Sequence, residues 1–176
     1  MCCSKKRAAA TAALLTCCLL LFSLSPAAQE ALDPKARADK VIVYKGKRQL
    51  QLLRKGEVLK TYKIALGANP VGPKTRAGDK RTPEGSYVLD YRNPQSKFHL
   101  SIHISYPNAQ DRANAAKLGV SPGGDIFLHG LPNGYSWLGA SHRLHDWTDG
   151  CIAVTDEEIE EIWRAVPNGT PIEIKP

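Results

Sequence analysis

Beyond residue 28 the 176-residue chain has one cysteine, Cys151, so no internal disulfide can brace it and a disulfide-stapled mini-fold is excluded. Its 12 Pro and 14 Gly follow no period, which rules out collagen-like sequence, and the absence of an internal repeat rules out solenoids and propellers. Positive charge is also scarcer than it first looks. The formal net charge is +7, but Lys5, Lys6 and Arg7 sit in the first few residues, and without those three the remainder carries +4, too little to point to nucleic acid. What is present is ordinary globular composition, 43% hydrophobic and 23% charged, at a length that suits one domain.

The one long apolar run, residues 8–24, follows those three cations and precedes the small residues Ser25, Ala27 and Ala28. This layout predicts a secretory signal peptide over residues 1–28. Thr16 and Ser23 interrupt the run and it is short for a bilayer span, so no stable membrane span is expected after cleavage near Ala27 or Ala28. Thr16 is a poor small residue before Cys17, which makes lipidation there the weaker reading. Export is therefore the expected fate of the rest of the chain. Residues 29–39 read as a linker, and 40–176 as the domain.

Period-two alternation dominates that domain. Val41 and Val43, Leu50 and Leu52, then Tyr62, Ile64 and Leu66 predict an antiparallel meander punctuated by Lys45-Gly46 and Lys55-Gly56. A Gly, Pro, Lys and Arg-rich stretch from Ala68 leads into strands over 87–91 and 98–106, and a helix opened by Asn108 is closed by Gly119. A short strand delivers His129 and Gly130, and residues 131–147 read as a loop. Residues 151–154 form another strand, Thr155-Asp156-Glu157-Glu158 opens a second helix as a capping box, and residues 170–174 end the fold. The expected class is mostly β, α+β: a sandwich or meander of antiparallel strands with two short helices.

A lone thiol in an exported protein calls for a use, and the neighbours of Cys151, Thr148-Asp149-Gly150 before and Ile152 after, are not those of a packed aliphatic core. A thiol performs acyl transfer as the thiolate, which is scarce at neutral pH unless a cationic neighbour stabilises it; His129 at a strand end is the candidate. Gly130 permits a tight turn beside the imidazole, Gly150 keeps a Cβ away from an approaching carbonyl, and the N–H groups of Gly150 and Cys151 are candidate oxyanion donors.

His129-Gly130 followed by Thr148-Asp149-Gly150-Cys151, with Thr82-Pro83-Glu84-Gly85 upstream, resembles the YkuD-type L,D-transpeptidase catalytic domain family. The phrases HISYPN (103–108) and DWTDGCIAVT (146–155) resemble its YafK-like branch of exported, murein-active proteins. The resemblance runs from about Val41 to Ile174. It implies a cysteine acyltransferase acting on peptidoglycan stem peptides, with Cys151 as nucleophile and thioester carrier and His129 as general acid and base. A backbone carbonyl after the histidine would orient its ring, Thr148 would fix the loop or the nucleophile, and no cofactor or metal would be needed; with export, a murein-type substrate implies the periplasm or cell envelope of a bacterium. Hydrolysis at the same site, as an L,D-carboxypeptidase or endopeptidase, or cleavage of a protein-to-peptidoglycan linkage, stays open, and a wall-linked protein is a possible further partner. His103, Tyr106, His145 and Trp147 are candidate substrate contacts, and the segment with Trp137, His142, His145 and Trp147 a candidate lid over the cleft.

The chain departs from the family motif twice: Asp149 stands where a histidine is usual, and Ala153 where an arginine is usual. Arg143 is a candidate partner for the Asp149 carboxylate. Two readings compete with the transpeptidase. His142-x-x-His145 with Cys151, Asp146 or His129 would suit a zinc-dependent peptidase, and the basic loop 74–81 would suit a wall-binding module without catalysis.

Overall fold

The computed structural model describes Met1 and residues 31–176. Apart from Met1, the predicted signal peptide, with Cys17, and the first two residues of the predicted linker lie outside the described residues. The rest of that linker runs along the body: Leu32 packs against the core, and Ala38 N–H donates to Ala165 O at 2.8 Å.

The meander forms as its alternation requires, with β1 (Lys40–Tyr44), β2 (Gln49–Arg54) and β3 (Glu57–Lys63) antiparallel in turn. Lys55 (φ 51°) and Gly56 (φ 86°) take the two left-handed positions of a tight β2–β3 turn, the geometry that matches strand twist. Then follow β4 (Gly85–Ser96), β5 (His99–Ile104), α1 (Ala109–Lys117), β6 (Phe127–His129), β7 (Ile152–Ala153), α2 (Asp156–Ala165) and β8 (Thr170–Lys175). Both helices start at their predicted caps: Thr155 forms the predicted capping box, and the Asn108 cap proves to be one as well. Asn108 accepts from Asp111 N–H, and Thr155 accepts from Glu158 N–H while Glu158 accepts from Thr155 N–H. Such a cap contributes about 1 kcal/mol.

The mostly-β, α+β class stands, and two details differ from expectation. The eight strands form one curled sheet in the order β3-β2-β1-β8-β4-β5-β6-β7, and it is mixed, because β1 lies parallel to β8 and β6 parallel to β7. The segment expected as plain loop holds a 3-10 helix, Ser136–Leu144, kinked at Gly139. The curl brings the sheet's two ends together. Beyond β3, Ala65 exchanges two 2.9 Å N–H···O bonds with Ala153 of β7, and Gly67 bridges Thr148. Inside sit Val41, Leu50, Leu52, Tyr62, Ile102 and Leu128, covered by Ile159 and Ile162 of α2. Each such burial is worth about 1.5–3 kcal/mol. Among the described residues no helix is long and apolar enough to cross a membrane.

Candidate active site

Parallel pairing of β6 and β7 sets His129 opposite Ala153, so Cys151, two residues before Ala153, comes beside Phe127, two residues before His129. The Phe127 N–H donates to Cys151 Sγ at 3.4 Å, and the thiol lies 3.7 Å from Asp125 O. His129 and Cys151 line one cavity of about 410 Å³, with Phe98, Asp125 and the tip of the β4–β5 hairpin forming its other walls.

His129 Nδ1 lies 2.7 Å from Gly130 O. A carbonyl only accepts, so Nδ1 carries the proton and Nε2 keeps its lone pair. The ring is 3% exposed, with Phe98 at 4.5 Å and Trp147 edge-on at 5.8 Å. Burial pushes its pKa down to about 4, against the pull of the Gly130 carbonyl. Burial pushes the Cys151 thiol up, helped by the carboxylates of Asp149 and Asp125 and opposed by the Phe127 N–H. At neutral pH the resting pair is therefore thiol and neutral imidazole. A thiolate sustained by an imidazolium is not the state this site holds at rest.

The glycines earn a different explanation from the expected one. A Cβ on Gly150 (φ 130°) would meet Arg81 O at 2.6 Å, so the chain's own backbone already requires glycine there. At Gly130 a Cβ would lie 2.6 Å from Asp156 Oδ1, the atom that accepts the Leu131 N–H at 2.7 Å. Asp156, which the sequence did not flag as a site residue, also binds Ser136 Oγ and so ties the chain after His129 to the start of α2. Thr148 does not reach the sulfur. Its hydroxyl donates to Cys151 O at 2.8 Å and accepts from Gly150 N–H at 3.2 Å, which engages one of the two expected oxyanion donors.

The remaining candidates separate. Trp147 packs on both His129 and Phe98, and its indole N–H donates to His142 Nδ1 at 3.4 Å. His145 is exposed and away from the cavity wall, while His103 sits behind Phe127 with Nδ1 2.7 Å from Asp90 Oδ1. Tyr106 lies past the end of β5, 3% exposed, its hydroxyl donating to Pro122 O at 2.9 Å. It packs in the core and does not line the cavity. Tyr106→Phe is expected to lower stability by about 1 kcal/mol in urea unfolding and to leave the labelling rate of Cys151 by iodoacetamide unchanged.

The proposed lid is tethered. Arg143 pairs with Glu158, so it does not serve Asp149, and Asp146 accepts from Arg48 at 2.7 Å and from Leu66 N–H at 2.9 Å. Among the described residues no group of three His, Cys, Asp or Glu side chains is placed to hold a metal. His142 is buried, His145 exposed and Asp146 engaged, so the zinc reading has no ligand set.

Phe98 and Asp125 were missed as wall residues. Phe98 opens an alternating strand and Asp125 (φ 56°) sits in a Gly-rich turn, and neither carries a local signal that it faces a thiol 26 or more residues away.

The family model for the L,D-transpeptidase catalytic domain, YkuD, matches residues 38–174. The chain belongs to that family. It is similar to the candidate L,D-transpeptidase YafK of Escherichia coli, 32% identical over 131 residues that cover 70% of this chain and 45% of YafK. Among solved structures, a point mutant of the helical cell shape determining protein Pgp2 from Campylobacter jejuni superposes with a TM-score of 0.59 at 25% identity, over 80% of this chain and 47% of Pgp2. Bd1075 of Bdellovibrio bacteriovorus superposes at 0.54 and 25%, over 83% of this chain and 50% of its own. The chain thus spans about half the length of these relatives. At the position where the YkuD motif usually has arginine, Ala153 is fully buried, with its backbone paired to His129 on one side and to Ala65 on the other.

Proposed function

We propose that this chain is an exported cysteine acyltransferase that remodels peptidoglycan stem peptides by L,D-transpeptidation. The observation that supports the reading most is the 2.7 Å bond from His129 Nδ1–H to Gly130 O in the cavity shared with Cys151, because it fixes the tautomer whose Nε2 can take a proton. As the carbonyl of an L-centre arrives, the thiol proton passes to Nε2 while the S–C bond forms. The Cys151 N–H, the donor that Thr148 leaves open, faces the developing oxyanion. Collapse breaks the C–N bond, the imidazolium returns its proton to the departing amine of the D-residue, and a thioester remains on Cys151. A side-chain amine of a second stem then attacks the thioester, loses its proton through His129, and restores the thiol. With water in place of the amine the same site hydrolyses, and with a protein lysine it makes or breaks a wall-linked protein.

The family membership, the likeness to YafK and to the cell-shape protein Pgp2, and the signal-peptide pattern of residues 1–28 all support action in the bacterial envelope. Mass spectrometry of muropeptides incubated with purified protein tests the reading. The expected products are a released D-residue and a crosslinked dimer, and release without dimer assigns the hydrolytic form. Unchanged muropeptide masses, with no thioester on Cys151 of folded protein, would refute it.

A further inference from the structure

Register across the sheet separates two sides. Asn93, Ser101 and His129 are mutual partners on β4, β5 and β6, and all three line the Cys151 cavity. Arg92, Ile102 and Leu128 are the neighbouring row, and alternation puts them on the opposite side, against α2. There Arg92 meets Arg37, from the segment before β1, and Arg164, from the last turn of α2, around a cavity of about 330 Å³.

Three guanidiniums share this cavity, and among the described residues none of them has a carboxylate partner. Arg37 donates to the carbonyls of Pro34 and Ala36, and Arg92 to that of Val166. The α2 carboxylates nearest Arg164 along the helix are engaged elsewhere, Glu160 with His99 and Glu161 with Lys60. The Arg92 guanidinium lies 5.0 Å over the Trp163 ring, yet among the described residues its buried Nε has no acceptor. Burial and then the like charge of Arg37 both push the Arg92 pKa down, so the arrangement is electrostatically unfavourable as it stands. Capping the α2 C-terminus explains one of these arginines through Val166 O and gives no reason for the other two or for the orphaned Nε.

We infer that Arg37, Arg92 and Arg164 form an anion site that takes a phosphate group, on the side of the sheet away from Cys151. Planar guanidinium forks match the oxygens of phosphate, and a doubly charged group offsets three cations better than a single carboxylate does. The phosphate is either a free ion or a phospholipid headgroup, and the two are separable by experiment.

Purified full chain is titrated with inorganic phosphate by calorimetry at constant ionic strength, with chloride as the control, and in parallel floated with vesicles of phosphatidylglycerol in phosphatidylcholine. Three variants accompany the wild type: Arg37→Gln/Arg164→Gln, which spares the Arg92 contacts that hold α2; Lys63→Gln/Lys117→Gln, which removes equal charge from exposed positions; and Cys151→Ala. Phosphate binding is expected to weaken about tenfold for each guanidinium removed and to be unchanged in the lysine and cysteine variants. Saturable binding of the free ion with that pattern assigns a soluble phosphate. Vesicle binding with that pattern, without binding of the free ion, assigns a headgroup. Equal binding by the arginine and lysine variants, or no binding in either arm, overturns the site. No readout is enzymatic, so failure here leaves the acyltransferase reading untouched and the reverse holds as well.

Discussion

Cys151→Ala protein is expected to leave muropeptides unprocessed, and His129→Gln to keep a free thiol yet acylate about 10²–10⁴-fold more slowly. The second effect follows from the resting charge state. With the thiol held above its ordinary pKa by burial and by Asp149 and Asp125, the thiolate fraction at neutral pH is small, so the sulfur depends on Nε2 to take its proton during attack. Glutamine has no basic atom. The pH dependence carries the sign. A histidine whose pKa is pushed down to about 4 stays neutral and competent through the whole physiological range. The wild-type rate of acylation by a carbapenem, whose strained carbonyl accepts the thiol, is therefore expected to hold near neutrality and fall only as pH drops towards about 4. Iodoacetamide, which needs preformed thiolate, is expected to react slowly at pH 7 and faster with rising pH into the alkaline range. A labelling rate already at its plateau in mild acid would mean a thiolate–imidazolium pair at rest and would defeat this account. Circular dichroism of both variants checks that the fold survives the loss of a ring packed between Phe98 and Trp147.

Much of this was legible from local pattern, where local physics decides. Alternation at Val41, Val43, Leu50 and Leu52 gave β1 and β2, and side-chain oxygens at Asn108 and Thr155 gave both helix starts, because a strand face and a cap are settled within a few residues. The pairing of His129-Gly130 with Gly150-Cys151 was legible as a motif. What was not legible depends on chain segments far apart. The parallel contacts of β1 with β8 and β6 with β7 arise when the sheet curls, and period two is blind to strand direction. Tyr106 continues the alternation of FHLSIHISY yet lies beyond the last paired residue, Ile104, in the core. The thiol's raised pKa follows from burial that no short window reveals. Residues 131–147, rich in Gly, Asn and Ser, read as coil because their order comes from tethers on distant partners: Asp156 for Ser136, Glu158 for Arg143 and Arg48 for Asp146.

Gly67→Ala is expected to cost about 3 kcal/mol or more and to remove activity with it. An added Cβ would stand 2.2 Å from Lys80 O and 3.0 Å from Gly150 Cα, both backbone atoms. The segment cannot simply step aside. Gly67 N–H donates to Thr82 Oγ1 at 3.0 Å, Asn69 N–H to Lys80 O at 3.0 Å, and Ala68 N–H to Thr148 O at 2.9 Å, so three stretches of chain are laced together within one residue of the nucleophile loop. Thr82 of the Thr-Pro-Glu-Gly element, fully buried, thus acts as a spacer that sets how closely residues 80–82 approach Gly67. Relief of the clash would shift Gly150, and Cys151 with it, and so disturb the placement of the thiol beside Phe127 and His129. Gly78→Ala in the neighbouring loop separates sterics from backbone strain: Gly78 has φ 73° with nothing within 4 Å of the built Cβ, so that change is expected to cost only about 1–2 kcal/mol and to leave carbapenem labelling intact. Urea unfolding and adduct mass spectrometry on the two variants together read both effects. Equal stabilities would show that the Lys80 backbone yields freely, and the spacing of the nucleophile loop would then rest on Thr148 and its bonds to Gly150 and Cys151 alone.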